Sequence, residues 1–187
     1  MNTLINWLSA EFSTPLNATA QIIGFIPLAL SFFTFLSNKR KKIIFIKIIT
    51  DCMWALHFFL LGEVVGGSVN AINTVRNVIF SQKHRRWASH IAIPIIFGAL
   101  TVGSALLRWQ EWYSFLPMLG SLLAVIGFWC NDPRNIRRLN LPAVLLWLIY
   151  GIITGSISSV LCNALTITSI LIAMLRHRER KPIAEQK

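Results

Sequence analysis

Apolar residues run along this chain in long blocks, and clusters of basic residues, turn glycines or short polar segments separate one block from the next. Seven blocks can be marked, at 16–37, 43–61, 64–80, 87–107, 113–130, 141–154 and 156–175. Most approach the ~20 residues that an α-helix needs to cross a bilayer, so the pattern predicts seven transmembrane helices. The sixth is short; it must take in turns from Asn140 or Gly155, or sit tilted among its neighbours.

The blocks repeat. Trp54, Gly62 and Asn70-Ala71 recur 93 residues later as Trp147, Gly155 and Asn163-Ala164. Upstream, Gly24 and Ser31-Phe32-Phe33 match Gly120 and Gly127-Phe128-Trp129 at an offset of 96, and downstream His84-Arg85 matches His177-Arg178 at 93. A three-residue difference in one connection reconciles the two offsets. The duplicated unit is therefore three helices, with repeat 1 over 16–86, a linker helix over 87–108, repeat 2 over 113–180 and a tail over 181–187. Three is an odd number, so two such units fused directly would face opposite ways. The fourth helix restores a parallel orientation, giving an all-α integral membrane protein in a 3+1+3 arrangement.

Composition agrees with the class, since 55% hydrophobic residues, a mean hydropathy of +0.60 and 13% charge do not describe a small soluble domain. A net charge of +11 raises the question of a nucleic-acid partner, but the basic residues are not spread as on a nucleic-acid surface. With seven spans, 15 of the 18 fall on one side: Lys39 to Lys42, Lys83, Arg85, Arg86, Arg134, Arg137, Arg138, and Arg176, Arg178, Arg180, Lys181 and Lys187. The other side receives Glu11, Glu63, Arg108 and Glu111. The positive-inside rule then puts the N-terminus outside and the C-terminus in the cytoplasm. Six or eight spans would scramble this alternation.

Met1 to Ser13 lacks a basic n-region and carries Glu11, so no cleavable signal is expected; Trp7 and Phe12 are expected at the outer interface, and the tail beyond Pro182 is expected to be disordered. Cys52, Cys130 and Cys162 stand singly in apolar blocks and read as small packing residues, neither disulfides nor metal ligands. No HExxH, GxSxG, phosphate loop or paired catalytic carboxylates occur, which argues against an enzyme, and no cofactor or metal is expected.

Trp54 lies eight residues before Gly62 and Asn70 eight after it, so at ~1.5 Å per residue both sit about 12 Å from the turn. Trp147 and Asn163 flank Gly155 identically, and a twofold axis normal to the membrane would bring all four to one depth. Two indoles and two amides suit a small polar solute, the rings stacking on an apolar face while the amides bond hydroxyls. The competing reading is structural, with Asn as glue between helices and Trp in lipid belts. Asn73 and Asn77 continue the polar stripe of Gly66 and Asn70; Ser159, Asn163 and Thr166 repeat it more weakly. Gly62, Gly66, Gly151 and Gly155 read as helix contacts. Lys47, Asp51 and Arg76 are expected to form a buried charge cluster, as a gate or as a structural ion pair, with Lys47 alternatively snorkelling to the surface. His57, one turn from Trp54, is placed to bond an Asn or accept a proton.

The 3+1+3 arrangement is similar to the SWEET and PQ-loop (MtN3-like) transporter superfamily over nearly the whole chain. More narrowly, His57-Phe58-Phe59-Leu60-Leu61-Gly62 followed by Asn73-x-x-Arg76 resembles the YgjV-type family of bacterial inner-membrane proteins. In SWEET-type transporters a Trp on the second helix and an Asn on the third helix of each repeat line the substrate pocket, which the resemblance carries to Trp54 with Asn70 and Trp147 with Asn163. The Pro-Gln pair of that superfamily is missing: Pro27 precedes Leu28 and Pro117 precedes Met118. Two functions follow as expectations. One is a transporter or facilitator of a small polar solute (sugar, nucleoside or vitamin); the other is a non-transporting, partner-binding or assembly subunit. The lipid bilayer is the expected partner in either case, nucleic acid is not, and a homo-oligomer stays open.

Overall fold

A computed structural model describes residues 15–107, 109 and 111–178. The expectations for Trp7, Glu11, Phe12, Arg108, the N-terminal segment and the tail lie outside the described residues. The described chain is helical, with α1 Pro15–Leu36, α2 Arg40–Leu60, α3 Val64–Ser81, α4 Ala92–Leu107, α5 Phe115–Trp129, α6 Pro133–Ile153 and α7 Ile157–Arg178. Short 3-10 turns, Trp87–Ser89 and Trp112–Ser114, precede α4 and α5.

Among the described residues, four segments are individually long and apolar enough to cross a membrane: Arg40–Leu60, Trp112–Trp129, Pro133–Ile153 and Ile157–Arg176. The apolar parts of α1 and α4, Ile22–Leu36 and Ala92–Leu107, are shorter. The block at 87–107 is divided, because the 3-10 turn ends at Ser89 and His90 is extended before α4 begins. The sixth helix, by contrast, is not short. It starts at Pro133, where Asp132 accepts a hydrogen bond from the Arg134 amide at 2.9 Å and proline fits the first turn. Arg134, Arg137 and Arg138 therefore lie on α6 and not in a loop.

The start residues Arg40 and Pro133, and Val64 and Ile157, differ by the same 93 positions as the sequence repeat. The turns between these helices match as well. Gly62 and Gly155 have φ of +78° and +71°, a left-handed conformation that glycine adopts without penalty. The following amides, Glu63 and Ser156, each donate to the carbonyl five residues back, on Phe58 and Gly151, both at 2.9 Å. Both α2 and α6 thus end in a Schellman turn. This corrects the packing role expected of Gly62 and Gly155; a Cβ on Gly62 would meet nothing. Gly66 and Gly151 are close contacts, with Tyr150 Oη 2.8 Å and Ser159 Oγ 2.9 Å from where their Cβ would stand.

Packing runs from α1 to α2, α2 to α3, α3 to α5, α5 to α6, α6 to α7 and α7 back to α1, so six helices close a ring. The fourth helix packs outside the ring, against α3 and α5. Exposed apolar side chains such as Phe33, Phe45, Ile95, Ile126, Ile152 and Leu175 cover the outer surface, where lipid can solvate them. Two apolar clusters fill the ring, and a third, of Val65, Val69 and Ala105, seats α4 against it. One, at the end carrying the basic connections, gathers Phe35, Ile43, Phe80, Phe128 and Ile136; the other, toward the glycine turns, gathers Trp54, Phe58, Leu116 and Tyr150.

Candidate functional site

Between the two clusters lies a partly enclosed cavity. All six ring helices line it and α4 does not. Trp54, Asn70, Trp147 and Asn163 all face it, as do Asn73, Lys47, Asp51 and Arg76. The lining is paired by the repeat: Asn140, Val144 and Trp147 of α6 stand where α2 has Lys47, Asp51 and Trp54, and Asn163 and Thr166 of α7 stand where α3 has Asn70 and Asn73. Ser31, Thr34 and Asn140 also line the wall, and sequence reasoning did not single them out. Asn140 had a signal, its repeat relation to Lys47; the two α1 hydroxyls had none.

The two asparagines behave alike. Asn70 Nδ2 donates to the Gly66 carbonyl and Asn163 Nδ2 to the Ser159 carbonyl, both at 2.9 Å and both one turn back on their own helix. Each amide is thereby held by its helix, not by a neighbouring one as a glue residue would be. Trp54, Phe58 and Trp147 form an aromatic wall, with ring centroids 5.9 Å apart from Trp54 to Phe58 and from Phe58 to Trp147. The Trp147 ring is seated by Gly120, whose Cβ would lie 2.9 Å from the indole.

The charged groups form a chain rather than a direct three-way cluster. Lys47 Nζ meets Asp51 Oδ1 at 2.5 Å, and Asn77 Nδ2 donates to Asp51 Oδ2 at 2.7 Å. Arg76 donates to Asn77 Oδ1 at 3.1 and 3.2 Å and to Asn73 Oδ1 at 2.8 Å. Asn77 therefore stands between Arg76 and Asp51. Lys47 turns to Asp51 at the cavity instead of snorkelling outward. Asn73 Nδ2 in turn donates to Ser121 Oγ at 2.9 Å, tying α3 to α5.

His57 does not line the cavity. It is fully buried, with Nδ1 2.8 Å from the Ala20 carbonyl and Nε2 2.7 Å from Ser156 Oγ. Three residues of helix turn it about 60° away from Trp54, enough to face the seam of α1 and α7. Its repeat partner Tyr150 makes the complementary bond. Tyr150 Oη donates to Glu63 Oε2 at 2.9 Å, and Glu63 is the repeat position of Ser156. Thus α2 bonds the residue just before α7, and α6 the residue just before α3. Glu63 lies in the turn before α3; burial pushes its carboxyl above the usual carboxylate range, against the opposing effect of the Tyr150 hydrogen bond.

The opposite end is bridged by guanidinium groups. Arg40 donates to the Cys130, Phe80 and Phe128 carbonyls at 3.1, 3.1 and 3.2 Å. Arg137 donates to the Phe35 and Ser37 carbonyls at 3.1 and 2.8 Å. Arg40 of α2 satisfies the C-terminal carbonyls of α3 and α5, and Arg137 of α6 those of α1. Lys83 Nζ adds a bond to the Trp129 carbonyl at 2.5 Å, and lies 4.0 Å from the Trp129 ring centroid. The connections after α1, α3 and α5 consequently meet at one end of the bundle.

An all-helical ring with apolar outer faces and a buried polar cavity defines a multi-pass membrane protein. The family described as bacterial inner membrane protein, Imp-YgjV, matches residues 18–181, and the chain belongs to it. It is similar to inner membrane protein YgjV of Escherichia coli (strain K12), 24% identical over 138 residues that cover 74% of this chain and 73% of that protein. No solved structure matches. The family and relative place the protein in the bacterial inner membrane.

Proposed function

We propose that this protein is a transporter or facilitator of a small polar solute, which it binds in the cavity between two parallel three-helix repeats. In this reading α1 to α3 and α5 to α7 are the rocking units and α4 is the linker, the 3+1+3 plan of SWEET-like and PQ-loop-like carriers. The basic end, with Arg40, Lys83 and Arg137, is cytoplasmic and the N-terminus periplasmic, as the positive-inside rule asks. The observation that carries the proposal is the pairing of the cavity wall. Trp54 with Trp147 and Asn70 with Asn163 come from repeat-equivalent positions and face one space, as expected when binding sits at the interface of two repeats. Structural packing alone gives no reason for both indoles and both amides to border an opening.

The reciprocal contacts at either end supply gates. His57 with Ser156 and Tyr150 with Glu63 bridge the units on the side of the glycine turns, while Arg40 and Arg137 bridge them on the basic side. Breaking one set while the other holds would open the cavity to one side at a time. The test is a thermal-shift screen of purified protein against sugars, nucleosides and vitamins, beside Trp54→Ala and Asn163→Ala. A ligand at 100 times its dissociation constant stabilises the folded state by about 2.7 kcal/mol. A compound that raises the wild-type midpoint but neither variant's supports the site. No shift with any compound, and partners that co-purify, would turn the reading toward an assembly subunit.

A further inference from the structure

Resting on the solute site proposed above, we infer that its occupant is a monoanion carrying a flat ring, such as a small aromatic carboxylate. Three of the lining residues are charged: Lys47, Asp51 and Arg76. Asp51 is neutralised by Lys47 at 2.5 Å, and its second oxygen is taken by the Asn77 amide. Arg76, 1% exposed, bonds neutral oxygens of Asn73, Asn77 and the Ser121 backbone, and no carboxylate. The cavity wall thus carries one positive charge without a matching negative one. Asp51 also acts on Arg76 through Asn77, so the three groups share a surplus of one positive charge, which is expensive in a membrane interior and which an anion in the cavity offsets.

The ring follows from the opposite wall. Trp54, Phe58 and Trp147 present aromatic faces to the cavity that Asn70 also lines, and Arg76 donates to Asn73, three residues from Asn70 on α3 and about 5 Å along the axis at ~1.5 Å per residue. A short solute spans that distance with its ring on the indoles and its charge toward Arg76. The amide oxygens of Asn70 and Asn163 accept from ring or hydroxyl donors, because each amide nitrogen is already committed to its own helix.

Isothermal titration of the full protein in neutral phosphatidylcholine nanodiscs would compare matched pairs: nicotinate with nicotinamide, benzoate with benzamide, gluconate with glucose. The expected result is that ring acids bind about tenfold or more tightly than their amides, a Coulombic preference, and more tightly than gluconate. Arg76→Gln should abolish the preference, whereas Arg76→Lys and Asp51→Asn, which keep or raise the positive charge, should retain it. The wild-type comparison stands even where Arg76→Gln does not fold. Repeating the titrations with phosphatidylglycerol in the disc separates sources: acid binding that persists assigns a soluble anion, and acid binding competed away assigns a lipid headgroup in the same charge site. Amides or glucose binding as well as the acids would overturn the anion inference and leave the solute site standing. No binding by any member of any pair would overturn both.

Discussion

Tyr150→Phe with Ser156→Ala removes both hydrogen bonds that cross between the units on the glycine-turn side, 2.9 Å to Glu63 and 2.7 Å from His57. Each is worth about 1 kcal/mol net, so in the proposed transport cycle the pair would hold this end closed by about 2 kcal/mol. Removing both should raise the open population about 30-fold, and either alone about fivefold. The protein carries its own reporter. Cys162 lines the cavity and is 3% exposed, while Cys52 and Cys130 can be replaced by Ala to leave one thiol. A membrane-impermeant thiosulfonate added to the periplasmic face should modify Cys162 in proportion to the open fraction, about 30 times faster in the double variant than in the parent. From the cytoplasmic face the rate should not rise. A double-variant rate within twofold of the parent would refute the gating role of these bonds, and a rise confined to the cytoplasmic face would invert the proposed topology.

Two further outcomes follow. The Glu63 carboxyl is held above the usual range in the folded protein, so folding retains its proton longer than the unfolded chain does; the thermal midpoint should fall as pH rises from the ordinary carboxylate range through the raised value, and Glu63→Gln should lack that slope. Arg137→Met removes the donors to the Phe35 and Ser37 carbonyls and leaves them without a cap, so the variant should lose about 2–3 kcal/mol of stability, read by denaturant unfolding in detergent. A loss below ~0.5 kcal/mol would mean that other donors satisfy those carbonyls.

Much of the site was legible because duplication leaves fixed spacings that survive folding. Trp54, Gly62 and Asn70 recur at 93, helix geometry puts each indole level with the amide across its own turn, and all four border the cavity. What hydropathy missed were the starts of α2 and α6, since it treats arginine as loop. Arg40 and Arg137 lie on helices because their guanidinium groups satisfy carbonyls at neighbouring helix ends, a role that depends on three-dimensional neighbours. His57 was misplaced for a rotational reason, three residues being close to one turn but not quite. The charge cluster was right in membership and wrong in wiring, because whether Arg76 reaches Asp51 or Asn77 is a matter of rotamer. Glu63 and Ser156 carried a faint signal, each following a turn glycine at the repeat offset, but unlike residue types at equivalent positions conceal a shared role.

The central claim is that solute crosses the membrane through the paired cavity. Stopped-flow light scattering of proteoliposomes, under inward gradients of sugars, nucleosides and small carboxylic acids, measures entry directly as swelling. Swelling is expected with at least one class of solute for the wild type, and its loss in Trp54→Ala and Asn163→Ala proteins that keep the wild-type helical content. Swelling that is unchanged in both variants, or no entry of any class into wild-type proteoliposomes, would contradict it.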